Sequence, residues 1–131
     1  MLIVNDRVGF DEYDIGGKTL IRLTEKGKLT VEDVRLGSKH CVQALNARQN
    51  ITHLLIDMWE LKNLPANIIK MIIYTRPLYQ HPNLGMVIVV CKPGHVAAFA
   101  QAIADMLPLE NRFYLCTSYE DAAVTINRPL S

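Results

Sequence analysis

Residues 85–91, GMVIVVC, form a run of strand length with no charged or strongly polar side chain. A strand with one face in water alternates apolar and polar residues. An unbroken run rich in Val and Ile therefore belongs in a sheet covered on both faces. Such sheets are mostly parallel and carry helices as crossovers, which commits the flanking sequence to alternate strands with helices. The same run is far below membrane-spanning length, and no other apolar stretch exceeds it, so no membrane span is expected.

The flanks supply that alternation. Residues 51–58, ITHLLIDM, are a second apolar run of strand length, and 112–116, RFYLC, a third, shorter one. Between the first two, residues 67–79 predict a helix with Ile68, Ile69, Ile72 and Ile73 on its apolar face, broken near Arg76 by Pro77. After the KPGH turn, Val96, Phe99, Ala100, Ile103 and Leu107 recur at helical spacing, predicting a helix over 96–107. SYEDAAVTI predicts a last helix, capped by Ser118 with Asp121 three residues on, or by Thr117 with Glu120.

Upstream, two alternating runs at 10–15 and 19–24 flank Gly16-Gly17, a hairpin signal. Within them Leu20, Arg22 and Thr24 should face one way, and Ile21 and Leu23 the other. The first few residues either add an edge strand or fray. Thr30 begins a helix, with Asp33 completing a capping box in which Asp replaces the usual Glu. Val34, Cys41 and Leu45 share its apolar stripe. Gly37 costs that helix ~1 kcal/mol relative to Ala, for which close packing against the sheet is the expected compensation.

The chain thus predicts one α/β domain over residues 1–131, with a mixed, mostly parallel sheet opened by an N-terminal antiparallel hairpin and about four helices. At 131 residues it can bury a core without disulfides or metal. The tail NRPLS should fray. Lys+Arg 14 against Asp+Glu 13 gives no electrostatic grip on nucleic acid, so no nucleic-acid partner is expected. Cys41, Cys91 and Cys116 are odd in number and widely spaced, and the four histidines show no metal-site spacing. Free thiols in a reducing compartment, and neither metal nor cofactor, are expected. The N-terminal apolar run is too short for a signal peptide, and the expected location is the cytoplasm.

GGKTLIRLTEKGKLTVEDV, THLLIDMWELKNLP and CTSYEDAAVTI together resemble the STAS superfamily, the fold of bacterial anti-sigma-factor antagonists, and in particular its divergent antagonist-like branches. The resemblance spans nearly the whole chain and rests on pattern, not on a diagnostic motif. It implies a non-enzymatic regulatory domain that acts by protein contact. In phosphoregulated antagonists the loop after the central strand ends in an Asp-Ser-Ser/Thr-Gly type motif, where a kinase-type partner phosphorylates a hydroxyl. Here Pro65, Ala66, Asn67 and Ile68 stand at those positions. No Ser or Thr occurs from Trp59 through Met71, so the usual switch is missing.

In open α/β sheets ligands favour the carboxyl ends of the strands, which selects three loops, 57–62, 91–95 and 116–118. By resemblance the partner-binding surface is the loop and helix start carrying Trp59, Leu61, Lys62, Pro65, Asn67 and Ile68. Trp59, the single tryptophan, is the natural anchor. The apolar cluster from Ile68 to Tyr74 exceeds one helix face, pointing to a protein partner or a second copy of the chain. Lys92, Gly94 and His95 form a candidate anion or ligand corner at a helix start. Asp57, Glu60 and His95, or Cys91 or Cys116 with His95, are the groups an enzyme would have to bring together. A small-molecule or lipid-binding domain is the alternative to the interaction domain.

Overall fold

The computed structural model describes residues 1–128. A short edge strand, β1 (Leu2–Ile3), pairs antiparallel with β2 (Val8–Ile15), and β2 with β3 (Lys18–Glu25). Ile15 faces Lys18, leaving Gly16 and Gly17 as the whole loop. Both take positive φ, 58° and 82°, as a two-residue hairpin whose twist matches its strands requires. Next come β4 (Gly27–Lys28), α1 (Val31–Asn46), β5 (Thr52–Asp57), β6 (Leu61–Asn63) and α2 (Ile68–Tyr79). The chain continues through β7 (Leu84–Val90), α3 (His95–Ala104), β8 (Phe113–Cys116) and α4 (Tyr119–Ile126).

The main sheet has the order β1-β2-β3-β5-β7-β8, parallel from β3 onward. Each crossover steps one strand the same way, so crossovers of one hand place α1, α2 and α3 on one face. The core divides accordingly. Ile21, Leu23, Leu54, Ile56, Val87 and Val89 pack with those three helices, while Leu20, Leu55, Met86, Ile88 and Val90 pack with Ala122 and Ile126 of α4. The seven residues of β7 are all buried, which is why that segment shows no polar alternation.

Local signals in α1 hold. The Thr30 hydroxyl accepts from the Asp33 amide at 3.1 Å, and Asp33 accepts from the Thr30 amide at 2.9 Å, closing the capping box. A Cβ on Gly37 would lie 3.2 Å from Leu23 Cδ2, so the glycine does let the helix approach the sheet. Ser118, rather than Thr117, caps α4, accepting from the Asp121 amide at 3.0 Å.

Other expectations need correction. Pro77 does not break α2, which runs two residues past it to Tyr79. One backbone bond is lost so near the end, and burial of Leu78 beyond it offsets the loss. The buried stripe of α2 is Met71, Ile72, Thr75 and Leu78, whereas Ile69 and Ile73 are 73% and 54% exposed. Only a strip of the helix meets α1 and the sheet, so four isoleucines cannot all be covered. The third crossover helix stops at Ala104, short of Leu107, because Pro108 disfavours helical backbone before it. Of the expected frayed tail, Asn127 is held at the end of α4 by a bond from its Nδ2 to the Gly16 carbonyl, 3.1 Å, and the Arg128 amide donates to the Thr125 carbonyl at 3.0 Å, while 129–131 lie outside the described residues.

Candidate functional site

The carboxyl ends of β3, β5, β7 and β8 share one edge, because these strands are mutually parallel. The chain there forms two grooves separated by Trp59. One, of about 560 Å³, is lined by Thr24, Lys26, Asp57, Glu60, Thr117 and Tyr119, among others. The second, of about 370 Å³, runs past Glu60 and Lys62 to Lys92, Gly94 and His95. Trp59 borders both and is 40% exposed.

Trp59 is held from beneath by a chain of polar contacts. Asp57 ends β5; its Oδ1 accepts from the Trp59 amide at 3.0 Å and its Oδ2 from the Tyr119 hydroxyl at 2.6 Å. Burial and the bond to Asp57 push the Tyr119 phenol up to about 12, so it keeps its proton and remains the donor. Arg22 reaches the Tyr119 oxygen at 3.4 Å and binds Asp11 through two bonds of 2.9 and 2.6 Å. That pair, chiefly its hydrogen bonds, holds the guanidinium charged, 4.0 Å over the Tyr13 ring, and Tyr13 meets Tyr119 edge to face at 5.4 Å. The hairpin is thereby connected through Arg22, Tyr119 and Asp57 to the backbone under Trp59.

The loop after β5 is not a free loop. Its Leu61–Asn63 segment is strand β6, paired parallel with β4, with Gly27 donating to the Glu60 carbonyl at 3.1 Å and Leu29 to that of Asn63 at 3.0 Å. The small second sheet turns Leu61 inward, and Pro65 is buried as well, so these two of the expected surface residues pack beneath the loop. Trp59, Lys62 and Asn67 are exposed and Ile68 half-buried. Asn67 caps α2, accepting from the Lys70 amide at 3.1 Å, so this helix start is closed by its own side chain.

The Lys92, Gly94 and His95 corner does not stand apart from this surface. Lys92 Nζ lies 5.5 Å from the centroid of the Trp59 ring, and His95 Nε2 is 3.0 Å from the Lys62 carbonyl. The two groups of candidates are therefore one patch. Gly94, at φ 138°, caps α3 without a side chain, leaving the first amides of that helix beside two lysines. Cys91 and Cys116 are buried, with thiols raised by burial, and Cys116 Sγ lies 3.6 Å from Thr125 Oγ1. No cluster of three or more His, Cys, Asp or Glu suited to a metal ion occurs among the described residues. No helix there is long and apolar enough to cross a membrane.

Sequence reasoning missed the contribution of the strand-β3 end, Thr24 to Lys26, and the Arg22–Tyr119 support. The signal for the former lay in the hairpin itself. Its second strand continues into a crossover helix, so its end joins the carboxyl edge.

No protein-family model matches the chain, and no curated protein matches it. The solved structures similar to this chain include one at TM-score 0.66 and 20% identity, covering 95% of this chain and 98% of the other. It is an uncharacterized protein of the DUF3478 family from Shewanella loihica PV-4, determined at 2.25 Å and described as having a SpoIIAA-like fold. The present chain has that fold, the one shared by STAS domains and anti-sigma-factor antagonists. At this identity the likeness extends to architecture alone.

Proposed function

We propose that this protein is a non-enzymatic interaction domain that acts in the cytoplasm through protein contacts in a regulatory pathway. Its docking surface is the Trp59 ridge together with the adjoining groove of Lys62 and Lys92 to His95, and with Asn67 and Ile68 at the start of α2. The observation that carries this reading is the exposure of Trp59 on a fixed loop between two grooves. An exposed aromatic side chain on a loop whose backbone is already held is the kind of residue that dominates binding energy at interfaces. The lysines and the uncapped start of α3 favour a partner segment that pairs an apolar side chain with acidic groups. No hydroxyl stands at the start of α2, so control by phosphorylation there is not part of the proposal.

The test is affinity capture on the immobilised chain from cytosol, comparing wild type with Trp59→Ala, Lys62→Glu and, on the α4 face, Val124→Asp. A partner lost with the first two and kept with the third supports the reading. Equal capture by all, with folding unchanged, refutes it. A dimer on a sizing column that Trp59→Ala turns into monomer would make the partner a second copy.

The alternative, a small-molecule or lipid-binding domain, has one observation in its favour. A partly open, largely apolar cavity lies between the sheet and α1, α2 and α3; at about 60 Å³ it admits a small molecule, not a lipid chain.

A further inference from the structure

Glu25, the last residue of β3, points to the face covered by α1, α2 and α3, where alternation along the strand places Ile21 and Leu23. It is only 5% exposed and its carboxyl has no hydrogen-bond partner among the described residues. Buried carboxyls elsewhere in this chain are paired: Asp33, also on this side of the sheet, receives bonds from Arg7, Asn5 and Thr30. Glu25 instead borders the 60 Å³ cavity, and also lines the floor of the 560 Å³ groove next to Lys26. No Lys, Arg or His lines that cavity, so nothing in its wall supplies a countercharge.

The remaining wall narrows the chemistry. Leu23, Ile56, Met71 and Leu78 make it apolar, while Ser38, Thr75 and Tyr79 line it too, the Thr75 hydroxyl donating to the Met71 carbonyl at 2.7 Å. Tyr79 is likewise without a hydrogen bond among the described residues, its phenol raised by burial and by the charges of Glu25 and Cys41. A carboxylate and two hydroxyl oxygens are acceptors for the three donors of an ammonium group. An anion would be repelled by Glu25 and Asp33 together. A neutral alcohol would leave the buried carboxylate uncompensated. At roughly 15 Å³ for each water-sized group, the cavity takes about four non-hydrogen atoms.

We infer that this cavity binds a small primary aliphatic amine as its ammonium ion, paired with the Glu25 carboxylate and with its short hydrocarbon tail against Leu23, Ile56, Met71 and Leu78. The inference rests on the cavity of the ligand-binding alternative and narrows its ligand to one class; it is independent of the Trp59 surface. The acid sits at about 7, raised by burial and then by Asp33. Asp33 and Cys41 from α1 and Tyr79 from α2 are the titratable groups that act on it or feel it; α3 presents Ala100, Ile103 and Ala104. An ammonium ion should therefore bind best where Glu25 has lost its proton.

The experiment is a calorimetric titration of the full chain with propylammonium chloride and, separately, with 1-propanol of the same size, at pH 8 and pH 6 and matched ionic strength. Wild type and Glu25→Gln are compared. Propylammonium should bind wild type at pH 8, bind about tenfold more weakly at pH 6, and not bind Glu25→Gln. Propanol should bind more weakly and show no pH dependence. Equal binding of amine and alcohol, or amine binding that survives Glu25→Gln, overturns the amine inference and leaves a general apolar site. Binding of neither compound to wild type overturns both the inference and the ligand-binding alternative. Should Glu25→Gln fail to fold, the pH comparison on wild type decides alone: no difference between pH 8 and pH 6 overturns the inference.

Discussion

Glu25 also makes a quantitative demand on stability in the absence of any ligand. Its carboxyl has an ordinary value of 4.5 and is raised to about 7 in the folded chain by burial and by Asp33. Between those values the folded state holds a proton that the unfolded state has lost, so stability falls as pH rises through the window. At 1.36 kcal/mol per unit, the penalty approaches about 3 kcal/mol above pH 7 and is close to zero below the unfolded value. Gln keeps the shape and carries no titrating group. The stability of Glu25→Gln minus that of wild type should therefore grow by about 2–3 kcal/mol between pH 5 and pH 8. In melting temperature that is about 6–9 °C for a domain of this size. Urea unfolding followed by circular dichroism at pH 5, 6, 7 and 8 measures it, and the subtraction cancels every group common to both proteins. A constant difference, or one that widens toward acid, would refute the reasoning. Saturating propylammonium at pH 8 should narrow the gap by stabilising wild type alone.

Gly85→Ala places a Cβ 2.4 Å from His53 Nδ1, the atom that accepts from the Met86 amide at 2.8 Å; the half-buried ring must turn away and give up that bond, and we expect a loss of about 1–3 kcal/mol in urea melts. In the hairpin, Gly16→Ala meets the Ala123 carbonyl at 2.9 Å besides its positive φ, whereas Gly17→Ala meets nothing within 4 Å. The first should cost about 2–4 kcal/mol and the second only the ~1 kcal/mol of left-handed backbone; equal costs would argue against the contact. Asp33 feels burial most, which raises it, but bonds from Arg7, Thr30 and Asn5 outweigh that and hold it well below its ordinary 3.8. Its contribution is thus present above that ordinary value and lost as pH falls further; Asp33→Ala removes the α1 capping box and leaves Arg7 to solvent, and should cost about 2 kcal/mol at pH 7 and flatten the acid limb of stability against pH. Tyr119→Phe leaves Asp57 Oδ2 unpaired, expected to cost about 1–2 kcal/mol, to red-shift Trp59 emission and to increase its quenching by iodide.

What was legible in the sequence is what depends on neighbours along the chain. Gly16-Gly17, the Thr30 and Asp33 pair, and the unbroken apolar texture of β7 each report a local geometry. In each case the structure has that geometry. What was not legible depends on residues far apart. Whether Ile69 or Met71 is covered depends on where α1 lies, and no period within α2 contains that information. Strand β6 was hidden for the same reason, since three residues, LKN, carry no strand pattern and acquire one only against Gly27 and Lys28. Gly85 read as a residue of the central strand; its role under the ring of His53 arises across the pairing of β5 with β7.

Strand β6 also changes how the carboxyl edge should behave. A ten-residue connection, 58–67, free to sample many conformations would lose roughly 1–2 kcal/mol of backbone entropy for each residue fixed on binding a partner. Here β4 holds residues 60–63, His95 reaches the Lys62 carbonyl, Asp57 fixes the Trp59 amide and Asn67 closes the start of α2. Most of that ordering is complete before any encounter. A partner would meet a preformed surface, and the energy of covering Trp59 would appear as affinity instead of being consumed in ordering the loop. The same rigidity fits the missing hydroxyl. A switch that works by reshaping this turn would have to break β6 as well, so control of any binding here is better placed in the partner.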